Sequence, residues 1–328
     1  AVYLRHAKPL RRLSACEWGR TDLSHQQILK EIALQRLQMS DWTETGGTRF
    51  STRSDHRQWL LSQANTLLDF FRAGAFNPAG GFYPLDVSGQ PLAPKPGHSG
   101  TERQLHDTTR MVHSFAVSKL MGHPGADAFI DHGMDFLWTR HRDTKNGGYF
   151  WGVDDDTPTI SAKQAYGHAF VLLAASSAKV VGHPDADRLL ADITEVLDAR
   201  FWDPAVGATS EEYAADWQTI SDYRGQNSNM HLTEALMAAF EATGEQTYLD
   251  RAHSIAELII NRHARAQGWR VAEHFDANWN VDKSYIGDPV FRPKGTTPGH
   301  ALEWSRLLVQ LWELGQRKTD WLAKAAKN

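Results

Sequence analysis

One feature constrains this chain more than any other: a repeat of about sixty residues built from helices and glycine-rich loops. Asn77-Pro-Ala-Gly-Gly-Phe82 is echoed by Lys145-Asn-Gly-Gly-Tyr149, then by Asp203-Pro-Ala-Val-Gly207 and Gln267-Gly-Trp269. A second set has the same period. Gly122-His-Pro-Gly-Ala-Asp127 returns as Gly182-His-Pro-Asp-Ala-Asp187, and Thr243-Gly244 stands at the corresponding place one repeat later. A fixed period of this length signals a repeat architecture, in which each unit buries its apolar face against its neighbours.

Between the loops, apolar residues recur at helical spacing, as in Trp59, Leu60, Ala64, Leu67, Leu68 and Phe71, or in Met111, Val112, Phe115 and Ala116. Further helices are expected over 163–181, 185–201, 229–242, 247–264 and 298–315, and strands of useful length are not. Two helices per sixty residues fit an all-α toroid of helical hairpins, one helix of each pair facing inward. Six such units need roughly 370 residues at this period. From Asp55 to Asn328 there are 274, so the ring is expected to be incomplete at its C-terminal end. Residues 1–54, with one candidate helix over Gln26–Met39, lack the pattern and read as an extension, which leaves 55–328 as the barrel. An open ring exposes apolar helix faces and favours self-association, so a homo-oligomer is carried as an expectation.

Composition excludes several classes. Thirty-five Lys and Arg against 39 Asp and Glu give a net charge of −4, which is no nucleic-acid footprint. The single cysteine, Cys16, permits neither an internal disulfide nor a cysteine-rich metal centre. The longest apolar run, near Phe170–Val181, is cut by serines and Lys179 and is too short to span a bilayer. No charged-then-apolar leader is visible, and a cytoplasmic setting is expected. Neither a His-Glu-x-x-His pattern nor a phosphate or dinucleotide loop is present. The expectation is therefore no cofactor and no metal.

The chemistry should sit where inner helices converge. Histidine (16 residues) and tryptophan (12 residues) are abundant. His106, Arg110 and His113 share one helix face, and Asn227, His231 and Glu234 repeat that spacing. Tyr166 and His168 open a further inner helix, and His300 and Glu303 another. Thr297 reads as a cap and Pro298 as the first helical residue, so His300 falls in the first turn. The positive end of the helix dipole disfavours imidazolium there and suits the ring to general-base work. Glu303, one turn on, is expected to orient it. The bland alternatives are that Arg110 pairs with Glu102 or Asp107, that Asn227 and Asn229 cap a helix opening at Met230, and that Glu303 is solvated.

With these residues in place, the sequence resembles the N-acylglucosamine 2-epimerase superfamily, with a closer likeness to its aldose–ketose isomerase branch. The stretches that carry it are Thr109-Arg110-Met111, Lys163-Gln-Ala-Tyr166, Tyr223-Arg-Gly-Gln-Asn-Ser-Asn-Met-His231, Arg270-Val-Ala-Glu-His-Phe-Asp276 and Thr297-Pro-Gly-His-Ala-Leu-Glu-Trp304. The Asn-x-Asn-Met-His and Pro-Gly-His-x-x-Glu-Trp elements are the specific ones. The resemblance implies an (α/α)6 barrel with a monosaccharide pocket at its centre. It implies that Arg110, Tyr166 and Asn227 bind substrate, and that His300, His231 and Glu303 are the catalytic residues, His231 also holding sugar oxygens, with acid–base catalysis that needs no metal. It places a second catalytic histidine in the last quarter of the barrel, beyond the repeats counted here.

The reaction so implied interconverts an aldose and its 2-ketose, of the mannose/fructose type, through a cis-enediol. Rival readings are 2-epimerisation of N-acylglucosamine or a disaccharide, an inverting glycoside hydrolase, and a non-catalytic sugar-binding toroid. The hydrolase needs two carboxylates about 6.5–9.5 Å apart. Asp154-Asp155-Asp156, Glu211-Glu212 and Glu273 with Asp276 are the available sets, each in a loop that reads as solvated.

Overall fold

A computed structural model describes residues 54–288 and 292–328. Two compact units divide the chain, Ala1–Gln63 and Ala64–Asn328. The extension expected over 1–54 lies, save its last residue, outside the described residues. Helix α1 (Ser54–Gly74) is followed by four hairpins. The inner helices are α2 (Leu105–Leu120), α4 (Ala165–Val180), α6 (Gln226–Thr243) and α8 (Pro298–Leu314). The outer helices are α3 (Ala126–Phe136), α5 (Ala186–Val196), α7 (Gln246–Ala256) and α9 (Asp320–Ala325). Inner helices pack side by side in chain order, and each also packs on its own outer partner. This is the α/α-barrel architecture that the repeat implied.

The period is held closely. Helices α3, α5 and α7 start sixty residues apart. Each runs on into a wider π-type turn, Leu137–His141, Leu197–Phe201 and Glu257–Ala264, again sixty residues apart. The glycines that marked the repeat, Gly81, Gly148, Gly207 and Gly268, all have left-handed backbones, with φ between 64° and 76°. Three of them are also sterically required, Gly81 by the Phe136 ring 2.7 Å from where its Cβ would stand. A Cβ on Gly148 would stand 2.7 Å from Trp217, and one on Gly207 would collide with Ser254 Oγ.

No inner helix uses a side-chain cap at its start. The first amides of α2, α4 and α6 donate instead to backbone carbonyls of Trp151, Glu211 and Glu273, at 2.8, 2.8 and 3.1 Å. Orphan N–H groups at a helix start need partners, and here a loop further along the chain provides them. Short antiparallel ladders support this stitching. Strand β1 (Arg103–Gln104) pairs with β2 (Gly152–Val153), and β2 with β3 (Pro158–Ile160). Similarly β4 (Lys163–Gln164) pairs with β7 (Glu212–Tyr213), and β8 (Arg224–Gly225) with β9 (His274–Phe275). The remaining pair, β5 (Trp202–Asp203) and β6 (Ala208–Thr209), closes a loop hairpin.

This stitching corrects one local expectation. Helix α6 opens at Gln226 rather than Met230, so Asn227 and Asn229 lie inside its first turn and do not cap it. Asn229 instead holds Thr209 through its side-chain oxygen, 3.0 Å from the Thr209 amide. Helix α8 begins at Pro298 after Thr297, as expected, although the Thr297 side chain makes no capping bond. Among the described residues no helix is long and apolar enough to cross a membrane.

Candidate active site

The inner helices all start at the stitched rim, and their first two turns carry the expected residues. Arg110 on α2 donates to the Tyr166 hydroxyl on α4 at 2.7 Å. Its guanidinium also lies over the Phe170 ring, 4.4 Å from the centroid. Tyr166 meets the His231 ring of α6 edge-on at 5.2 Å. His231 Nδ1 is 3.6 Å from Glu234 and 3.9 Å from Glu303 of α8. Arg110, Tyr166, His231 and Glu303 thus form one continuous line across four inner helices. A cavity of about 560 Å3 opens beside Arg110, lined in part by Leu68, Phe71, Phe82, Asp107 and Met111.

His300 joins this group from the start of α8, but with a different partner from the one expected. Its Nδ1 lies 3.0 and 2.9 Å from the two oxygens of Glu273. Glu303 reaches toward His231 instead. Gln226 Nε2 donates to Glu273 at 2.8 Å and also stands 2.9 Å from His300 Nδ1. Asn227 follows Gln226 in the same helical turn.

The protonation expectation for His300 is corrected too. The hydrogen bond to Glu273 raises its pKa above the ordinary histidine value, against the opposing effect of burial. Magnitudes explain why the helix dipole loses. A dipole end is worth about 0.3–1 kcal/mol at a helix terminus. A hydrogen bond to a charged partner is worth about 1.5–3 kcal/mol. The Glu273 carboxylate thus favours the protonated ring, and burial opposes it.

Around His231 the charge is balanced by an arginine. Arg306 donates to Glu234 at 2.6 Å and lies 4.0 Å from Glu303. Burial raises the Glu234 pKa, but the nearby His231 ring and the Arg306 guanidinium outweigh it and hold the carboxyl at about 2. His231, Glu234 and Glu303 offer donor atoms within 4.8 Å of one another, a spacing a metal ion could use. The guanidinium of Arg306 already bonds one of those carboxylates, that of Glu234.

Other candidates are turned to structural use. His168 is fully buried, accepting the Tyr149 N–H on Nε2 at 3.0 Å, with Nδ1 2.8 Å from the Gln164 carbonyl. His113 pairs with Ser177 at 2.7 Å. His106 stacks on Trp151 at 5.0 Å beside Asp107. Three of the loop carboxylates are buried, contrary to expectation, while Asp156 and Asp276 are exposed as expected. Asp154, Glu211 and Glu273 are 4, 5 and 2% exposed, because their loops fold over the inner-helix starts. Glu211 accepts bonds from Ser228 Oγ and the Gly225 amide, and Asp154 from the amides of Asp156 and Thr157.

The sequence reading missed Glu273 as a partner of His300, along with Gln226 and Arg306. Glu273 stands inside one of the stretches that carried the resemblance. No spacing rule connects it to a histidine 27 positions away.

A helical toroid with histidines, carboxylates and two arginines gathered toward the inner-helix starts is the framework of an acid–base site for a small polar molecule. The N-acylglucosamine 2-epimerase (GlcNAc 2-epimerase) family model matches residues 80–328, and the chain belongs to that family. A D-mannose isomerase of Thermobifida fusca is 42% identical over 85% of this chain and 68% of its own length. One of Pseudomonas cannabina pv. alisalensis is 42% identical over 83% and 65%. A solved D-mannose isomerase structure superposes with a TM-score of 0.76 at 34% identity, covering 82% of this chain and 68% of that one. The cellobiose 2-epimerase of Spirochaeta thermophila shares the fold with a TM-score of 0.70 at 22% identity, over 84% and 69%. The chain therefore spans about two thirds of the length of these relatives.

Proposed function

We propose that this chain carries most of the active site of an aldose–ketose isomerase that interconverts mannose and fructose. The observation that carries the reading is the pairing of His300 with Glu273 beside the Arg110–Tyr166–His231–Glu303 line. The family and the 42% identity to D-mannose isomerases support it. The substrate is a free monosaccharide. The single cysteine in the sequence fits a reducing, cytoplasmic setting.

In this reading the sugar ring opens first, with a histidine passing a proton between O1 and the ring oxygen. His300 then takes the proton from C2 of the open aldose. The C–H electron pair becomes the C1–C2 double bond, and O1 takes up the displaced carbonyl pair and a proton. Arg110 stabilises the negative charge that develops on that oxygen, a role typically worth a few kcal/mol in a dry site. Returning the proton to C1 while O2 gives up its own proton yields the 2-ketose. His231, with Glu303, shuttles protons between the two oxygens, and Tyr166 and Asn227 hold hydroxyls. Each well-placed acid or base contributes typically 10²–10⁴-fold.

The second reading is 2-epimerisation, favoured by the description of the matching family. It differs in where the proton returns: to the opposite face of C2, with O1 giving up its proton, rather than to C1. The test is mannose in D2O. Fructose carrying deuterium at C1 supports isomerisation, and labelled glucose supports epimerisation. Absence of label and of any new sugar across a panel of aldoses removes both.

A further inference from the structure

His300 Nδ1 has two kinds of neighbour, and they make opposite demands. The oxygens of Glu273, at 3.0 and 2.9 Å, require Nδ1 to carry a proton. The amide nitrogen of Gln226, at 2.9 Å, could bond it only if Nδ1 were bare. Trp304 limits the choice. Its indole N–H can only donate, and it lies 2.7 Å from the Gln226 side-chain oxygen. The oxygen end of Gln226 is thereby fixed toward Trp304, and the NH2 end faces Glu273 at 2.8 Å. The Thr297 amide donates to the other Glu273 oxygen at 3.0 Å. A buried carboxylate met by this many donors stays ionised, and a charge-assisted bond is roughly twice as strong as a neutral one. Glu273 therefore outcompetes Gln226 for His300.

We propose that Trp304, Gln226 and Glu273 act in series to hold His300 with its proton on Nδ1, leaving Nε2 as the nitrogen presented to substrate. Glu273 is then a positioning residue for the proton transfer, in the role that spacing alone assigns to Glu303. This inference rests on the reading of His300 as the base. Among the described residues, the charges that bear on the ring are those of Glu273 and Glu303.

The experiment is long-range 1H–15N spectroscopy of the full chain labelled with 15N-histidine, with His300 assigned by its loss in His300→Gln. At neutral pH the expected signals are a protonated Nδ1 and a bare Nε2. In Glu273→Gln the minor tautomer should grow and the titration midpoint should move to lower pH. In mannose turnover, Glu273→Gln should lower kcat about 100-fold or more while KM changes less than about threefold. The acid limb of its rate profile should also move to lower pH, and Glu273→Asp should recover part of the rate. A bare Nδ1 in the unsubstituted chain, or an unchanged tautomer and midpoint in Glu273→Gln, overturns the inference. Should Glu273→Gln not fold, the tautomer of the unsubstituted chain decides alone. Failure of isomerase activity on every aldose would instead remove the function proposed above, and the spectra would still judge the positioning claim.

Discussion

Tyr166 accepts a hydrogen bond from Arg110 at 2.7 Å although the two stand 56 positions apart in the chain. The bond ties the second inner helix of the described ring to the first and fixes where the guanidinium points. The Tyr166 hydroxyl is held in its neutral form, its pKa raised by burial despite the nearby arginine. Tyr166→Phe keeps the ring against His231 and removes the acceptor. A bond to a charged group is worth about 1.5–3 kcal/mol, so KM for mannose should rise about tenfold, with a smaller fall in kcat. Arg110→Ala should lower kcat about 10²–10³-fold if the guanidinium stabilises the enediolate. Steady-state kinetics of both variants checks the division of labour.

Glu234 should make the fold acid-sensitive. Its pKa is about 2 in the folded chain against 4.5 ordinarily. A depressed carboxyl contributes stability that is fully present above its unfolded pKa and is lost as pH falls through the folded one. The window is therefore pH 4.5 down to 2. The contribution above that window is roughly 2–3 kcal/mol. Urea unfolding at pH 6 and pH 3 should show a smaller loss in Glu234→Gln than in the unsubstituted chain. Equal losses would show that the carboxylate is not the group responsible.

Two buried histidines act over a higher range. Burial lowers His141 to about 3 and His168 to about 4 from 6.5, against hydrogen bonds to the Phe150 and Gln164 carbonyls that oppose the shift. The unfolded chain takes up these protons below pH 6.5 while the folded one refuses them. Stability from both is full above 6.5 and falls as pH drops toward 4, by roughly 2–3 kcal/mol per pH unit for the pair. Replacing His168 by Gln should lower stability overall and flatten that slope. The check is the urea midpoint at half-unit steps from pH 7 to 4.5.

Lys163 is fully buried and bonds Asp143 at 2.8 Å and the Ala215 carbonyl at 2.6 Å. It also faces the Trp217 ring at 4.4 Å. Lys163→Met leaves the buried carboxylate without its cation, which typically costs about 3–5 kcal/mol. The double variant with Asp143→Asn should recover part of the loss. Chemical denaturation of the two variants tests this, and a double variant no better than the single would count against a charge-based cause.

Much of the fold was legible because its signals are local and periodic. Gly148 and Gly207 mark loop turns that only glycine enters without strain, and the Gly-His-Pro corners recur at sixty residues. Helix boundaries came within a few residues, as in 163–181 against Ala165–Val180. The start of α6 was misplaced because its first amide bonds to Glu273, far along the chain. In the site, helical spacing put Arg110, Tyr166, His231, His300 and Glu303 on inward faces. It could not show that His168 turns into the core, since residues two apart on a helix point in different directions.

The periodic pattern of apolar residues and loop glycines determined by itself that this chain folds as stacked helical hairpins, because each such signal acts within one or two turns of its own position. Tertiary structure alone decided which carboxylate serves which histidine. Glu273 and Glu303 are equally plausible on paper. Only the folding of a loop over the start of α8 brings the first within hydrogen-bond reach of His300 and leaves the second beside His231. An ionisable group takes its character from the charges and donors within a few ångströms, and those neighbours are set by the packing of distant segments.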